Sequence, residues 1–261
     1  MKYERSLPSS FDRKKFTESF LPEAKARTEY WIKHEKTRIT EGQNAWPTYG
    51  TPISRFDDDA APVLGKTFTE FLSEKREQKD RVTVMDVMGT GGFMDEYLVD
   101  NEVAVTLVDH RDAVKKEKDT LRRKKIITGD ILAEETWEAI RAQDSFDLVT
   151  CRPMKGWETI KGFRLATNPY SLYAELTVVE NIVSTLDPNG GTLIVEMSGA
   201  TPYDEWTKEL QQVPGIDASC SRETTNRPKR RFLGDGASVV RITRTNETYG
   251  ELPLLPQNSE Q

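Results

Sequence analysis

From Arg81 onward, short runs of β-branched residues alternate with longer amphipathic stretches, and this alternation constrains the fold more than any other feature of the chain. Parallel strands cannot be joined by tight turns. They need a crossover, usually a helix, so the pattern predicts βαβ units. The expected strands are 81–87 "RVTVMDV", 103–109 "VAVTLVD", 125–128 "KIIT", 146–151 "FDLVTC" and 191–197 "GTLIVEM". Helices are expected near 92–99, 111–123, 133–143, 169–186 and 203–213. In the fourth of these, Leu172, Leu176, Val179, Val183 and Leu186 recur at helical spacing, Asn168 is placed to cap, Pro169 suits the first turn and "DPNGG" is a stop. Two further runs of period 2, "IDASCSRE" and "ASVVRITRT", flank "TTNRPKRRFLGDG" and read as an antiparallel hairpin closing one sheet edge. The expectation is an α/β fold with a seven-stranded sheet, mostly parallel with an antiparallel C-terminal hairpin, and helices on both faces.

The flanks differ from this core. Within residues 1–80, "FTESFLPEAKARTEYWIKHEKTRI" reads as helical, "WPTYGTPISRFDDDAAP" as turn-rich, and "FTEFLSEKREQ" as a helix feeding the first strand. Residues 1–80 are therefore expected to form a helical extension or lid, 81–245 the main domain, and 246–261 a proline-rich tail. Net charge is −6, so the average surface repels nucleic acid and anionic membrane. The segment 227–231 "RPKRR" is a local exception that could meet phosphate, while "KKEKDTLRRKK" alternates with acids and reads as a solvated helix face. Two cysteines, Cys151 and Cys220, are too few for a disulfide framework or a zinc site, which fits a reducing, cytoplasmic setting without a metal. No run approaches the roughly 18 apolar residues of a membrane span.

The strand-to-helix join "VMDVMGTGGFM" holds three glycines within four positions, where a backbone must approach something closely. A triphosphate would require a lysine and a hydroxyl residue at the end of the loop, whereas Gly92 is followed by Phe93 and Met94. A dinucleotide favours G-x-G-x-x-G, and Met94 occupies the third glycine's place. Asp86, three residues before Gly89, is awkward beside a pyrophosphate. Beside a cation it is useful, either orienting an ammonium group or organising the loop.

At these residues the sequence resembles the class I S-adenosylmethionine (SAM)-dependent methyltransferases, whose first motif is an acidic residue followed by a glycine loop. "DVMGTGG" departs from that motif in its third glycine. The resemblance covers residues 81–245 and implies a Rossmann-like sheet with SAM as cofactor. It implies cofactor contacts from Asp86, Met88, Gly89, Thr90 and Gly91 in the first motif. Asp109, about 20 residues beyond the loop, would take the ribose hydroxyls, with His110 beside the adenosine. Asp130 would hold the adenine amine and Ile131 would face its ring; Cys151 would line the methyl-transfer mouth. The acidic residues have plain structural alternatives: Asp86 in loop organisation, Asp109 as a helix cap, Asp130 in an ordinary Gly-Asp turn. Cys151 could be read as a nucleophile, but with no histidine nearby in sequence its strand-end position suits a small residue facing the cofactor.

Beyond the fourth strand, Arg152, Pro153, Trp157, Tyr170 and Glu175 are the expected substrate-side residues. Arg152 would orient an anionic acceptor or pair with Asp147 or Glu196, and the aromatics Trp157, Phe163, Tyr170 and Tyr173 serve equally as core or acceptor wall. "CRPM" keeps one proline of the D/N-P-P-Y/F pattern that marks nucleobase amine methylation in the family, which disfavours that acceptor. Methyl transfer by in-line displacement needs no dedicated base, so no catalytic residue is assigned. A small-molecule acceptor ranks first, RNA or protein second. A non-catalytic SAM-binding partner subunit and a nicotinamide-dependent oxidoreductase are the other classes that the pattern leaves open, and oligomeric state is not encoded in it.

Overall fold

The computed structural model describes residues 7, 9, 11–26, 60–87, 103–108, 125–143, 145–151, 169–198, 203–222 and 237–256. Seven strands form one sheet: β1 (Val82–Val87), β2 (Val103–Val108), β3 (Lys125–Ile127), β4 (Leu148–Cys151), β5 (Thr192–Ser198), β6 (Ile216–Arg222) and β7 (Ala237–Arg244). Their spatial order is β3-β2-β1-β4-β5-β7-β6. The first five pair in parallel, whereas β7 runs antiparallel to both β5 and β6. The two C-terminal strands thus pair as a hairpin does, with β7 slotted inside and β6 forming the edge.

Alternation along the strands builds two apolar faces. Val82 and Val84 of β1, Leu148 of β4, Ile194 of β5 and Val239 of β7 pack with Phe68 and Leu72 of helix α1 (Phe68–Gln78). On the opposite face, Met85, Val87, Val149, Cys151, Leu193, Val195, Val240 and Ile242 meet helices α2 (Glu134–Arg141), α3 (Pro169–Thr185) and α4 (Tyr203–Leu210). Strand residues two apart point the same way, so β1, β4, β5 and β7 each feed both cores. Helix α1 starts at a capping box: the Thr67 hydroxyl accepts from the Glu70 amide at 3.2 Å, and the Glu70 carboxylate accepts from the Thr67 amide at 2.8 Å.

Helix α3 carries the predicted stripe, with Leu172, Leu176, Val179, Val183 and the following Leu186 all buried. Its other side is covered as well, since Ala174, Val178 and Ile182 have no exposed surface. Part of that cover comes from the N-terminal helical stretch 13–26, whose Phe16, Phe20 and Leu21 pack with Ala174 and Tyr170. The stop after α3 is tight: a Cβ on Gly191 would lie 2.4 Å from the Asp187 amide nitrogen and 2.6 Å from the Phe146 carbonyl oxygen, so only glycine lets the chain turn into β5.

At the N-terminal edge of the parallel strands, Lys79 pairs with both Asp147 and Asp187. Asp147 also accepts from the Thr83 amide at 2.8 Å, and Lys75 donates to the Gly190 carbonyl at 2.8 Å. Burial by itself would lower the Lys79 pKa, but the two carboxylates outweigh it and hold it above the ordinary lysine value. Asp147 is thus committed at the end of β4 opposite to the one that leads into Arg152. Arg152, expected to orient an anionic acceptor or to pair with Asp147 or Glu196, lies outside the described residues.

Residues 249–256 lie along the α2–α4 face. Leu252 and Leu255 enter its core, and the Trp206 indole donates to the Pro253 carbonyl at 2.9 Å. Among the described residues no helix is long and apolar enough to cross a membrane, and no group of three or more potential metal ligands occurs.

Candidate functional site

From β1 the chain moves outward to β2 and β3, then returns to β4 on the other side of β1 before continuing to β5. The connections diverge at β1 and β4, and in open α/β sheets ligands bind beyond the carboxyl ends of the strands at such a switch point. A cleft of about 320 Å³ lined by Arg76, Glu77, Gln78, Lys79, Asp80 and Val82 opens instead at the N-terminal edge of β1. By the general rule for open α/β sheets, the candidate site lies at the other end.

Asp86 and Thr150 sit side by side at that switch point, in register across the β1–β4 pair. The Thr150 hydroxyl donates to Asp86 Oδ1 at 2.8 Å, and neither side chain has exposed surface. A buried carboxyl group is costly unless donors surround it, so the Thr150 hydroxyl is an integral part of how Asp86 is accommodated. The turn it precedes, with Met88, Gly89, Thr90 and Gly91, lies outside the described residues, as do Asp109, His110, Arg152, Pro153 and Trp157.

Beyond β3, the half-buried Asp130 accepts from the Leu132 amide at 2.9 Å through Oδ1, while its carbonyl accepts from the Ala133 amide at 2.9 Å. This Asx-type turn launches α2 and matches the plain alternative weighed for a Gly-Asp pair. Ile131 is buried, and its carbonyl accepts from the Trp137 indole at 2.7 Å. Cys151 is 1% exposed and points into the α2–α4 core, on the sheet face opposite Asp86 and Thr150, where a thiol packs as a small apolar group.

The first turns of α3 lie beside the C-terminal edge of β4. Tyr170, half-buried, sits among Phe11, Phe16 and Phe20 at centroid distances of 5.0, 6.3 and 5.9 Å, with the Lys15 ammonium 5.7 Å from its ring centre. Glu175 occupies a core position on the sheet-facing stripe, 2% exposed, and its Oε1 accepts from the Tyr203 hydroxyl at 2.8 Å. In this structure Glu175 is an interior residue that joins α3 to the start of α4. Thr150 and Tyr203, whose hydroxyls donate to Asp86 and Glu175, are the residues that sequence reasoning missed. A lone hydroxyl in "DLVTC" and a tyrosine opening a helix carry no signal until strand register and helix packing are known.

The sequence matches no protein-family model and no curated protein. Solved structures do resemble the chain. One is the plantazolicin methyltransferase BpumL in complex with SAH, at 11% identity and a TM-score of 0.51, covering 90% of this chain and 99% of that one. Another is magnesium protoporphyrin IX methyltransferase (ChlM) from Synechocystis PCC 6803 with bound SAM, at 11% identity and a TM-score of 0.50, covering 92% of this chain and 100% of that one. The fold is that of the class I SAM-dependent methyltransferases. At this level of identity, the likeness speaks for the architecture alone.

Proposed function

We propose that this protein is a SAM-dependent methyltransferase that binds its cofactor in the crevice beyond the carboxyl ends of β1 and β4. The observation that carries the reading is the buried Asp86–Thr150 pair at the switch point of that fold, immediately before a glycine-rich turn. A buried carboxylate with a fixed donor suits the neighbourhood of a cationic ligand and not that of a pyrophosphate, which sets SAM ahead of a dinucleotide. Bound there, SAM would supply a methyl group activated on a sulfonium, open to in-line attack at carbon by an acceptor lone pair, with the C–S electron pair passing to sulfur and S-adenosylhomocysteine (SAH) as the leaving group.

In this reading Asp86 holds the turn Met88–Gly91 in place, Asp109 takes the ribose hydroxyls and His110 lies beside the adenosine. Asp130 and Ile131 border the base from the turn into α2, and Cys151 closes the floor of the methyl-transfer mouth from within the core. Arg152, Pro153, Trp157 and Tyr170 form the acceptor side, with Glu175 supporting it from beneath. Residues 1–80 act as the extension that shields the mouth, which the packing of Phe16 and Phe20 on the first turns of α3 supports. Residues 81–245 form the catalytic domain and 246–261 its tail. The acceptor is a small molecule and the setting cytoplasmic; the net charge of −6, which opposes polyanion binding, favours the former.

Calorimetric titration tests the cofactor assignment: SAM and SAH bind and NAD does not compete. Binding of NAD in place of SAH would overturn it. Transfer of label from methyl-labelled SAM into pooled metabolites, but not into RNA, tests the acceptor class.

A further inference from the structure

We infer that Thr150 is a positioning residue for cofactor binding: its hydroxyl locks the Asp86 carboxylate at the β1–β4 switch point, and through that charge it favours the amino-acid end of the ligand. The inference rests on the methyltransferase reading above.

The other three residues of β4, Leu148, Val149 and Cys151, are apolar and buried. A central parallel strand of this kind favours valine, and threonine differs from valine by one hydroxyl in place of one methyl. That hydroxyl falls at the position in register with Asp86 and donates to it at 2.8 Å. Neither side chain meets water, so the carboxylate's field is screened far less than that of a surface charge. Held in one orientation at the strand end, it attracts an ammonium group lodged in the adjoining crevice without needing to be exposed itself. The adenosine end, bound from the tips of β2 and β3, lies beyond this effect.

The test compares SAH with 5′-methylthioadenosine, which keeps the nucleoside and thioether but has no ammonium or carboxylate. In the full chain, Thr150→Val is expected to weaken SAH binding about tenfold, the scale of losing one hydrogen bond to a charged group, and to change methylthioadenosine binding by less than about twofold. Thr150→Ser, which restores the donor, is expected to return SAH affinity to within about threefold of the parent. Asp86→Asn, which keeps the shape but removes the charge, should reproduce the selective loss and keeps the test decisive if Thr150→Val does not fold. Equal losses for both ligands, an unchanged SAH affinity, or failure of Thr150→Ser to restore it would overturn the positioning role. A parent protein that binds neither ligand would instead overturn the methyltransferase reading on which it rests.

Discussion

The buried pair formed by Glu175 and Tyr203 allows a sharp test of how the α3–α4 junction is held. The phenol donates to Oε1 at 2.8 Å, with the two residues 2% and 0% exposed. Tyr203→Phe deletes that donor while keeping the ring, and a hydrogen bond to a charged group contributes about 1.5–3 kcal/mol, so a loss of about 2 kcal/mol is expected. For a chain of this size that lowers Tm by about 4–8 °C. Glu175→Leu removes the same bond and strands the phenol, with an expected loss of about 1–2 kcal/mol after the gain from apolar packing. In the double variant neither polar group remains, and replacing both partners by apolar groups is close to neutral. The two losses therefore should not add; a coupling of about 3–4 kcal/mol, close to the sum of the two single losses, is expected from urea denaturation of the parent, both single variants and the double variant. A coupling below about 0.5 kcal/mol would refute the reasoning, because it would mean that Glu175 is satisfied without the phenol.

Lys79→Met leaves the Asp147 and Asp187 carboxylates together, 4% and 14% exposed; with the lysine itself 34% exposed, a loss of about 2 kcal/mol is expected in urea denaturation. The pH dependence follows from the same cluster. Burial alone would raise the Asp187 pKa, but Lys79 and the Asn189 amide outweigh it and hold it below its ordinary 3.8, so its contribution is complete above that pH and lost as pH falls through the lowered value. Acid unfolding monitored by circular dichroism should thus begin at higher pH in Lys79→Met than in the parent. Gly129→Ala places a Cβ 2.3 Å from Thr136 Oγ1 and should cost about 1–3 kcal/mol, much of it recovered in Gly129→Ala/Thr136→Ala; additive losses would place the strain elsewhere. Leu252→Ala and Leu255→Ala should each cost about 2–3 kcal/mol if the tail belongs to the core, and thermal melts unchanged within about 1 °C would show that it does not.

The strands and the helices α2, α3 and α4 were legible from local pattern: short β-branched apolar runs such as "VTVMDV" and "LIVEM", and the Leu172-to-Leu186 stripe in α3; the helices expected near 92–99 and 111–123 lie outside the described residues. What escaped depends on pairing between distant segments. Asp86 and Thr150 are 64 positions apart, and parallel strands have no hairpin turn to set their register, so the hydroxyl could not be placed against the carboxylate from the sequence alone. The double burial of α3 escaped for the same reason, since Ala174 is covered by Phe20 from the other end of the chain. Asp130 shows a different limit. A Gly-Asp pair is suited both to a ligand and to a turn, and only the Leu132 amide at 2.9 Å reveals how its carboxylate is engaged.

The place of β7 bears on how the protein is made. It separates β5 from β6, yet both precede it along the chain. On a ribosome, β5 would therefore emerge with a bare row of backbone donors and acceptors, and β6 would have no strand to join until residues 237–244 had also been synthesised. Such an open edge, backed by Leu193 and Val195, invites wrong partners, so the nascent chain has a window in which a chaperone that shields strand edges would raise its yield.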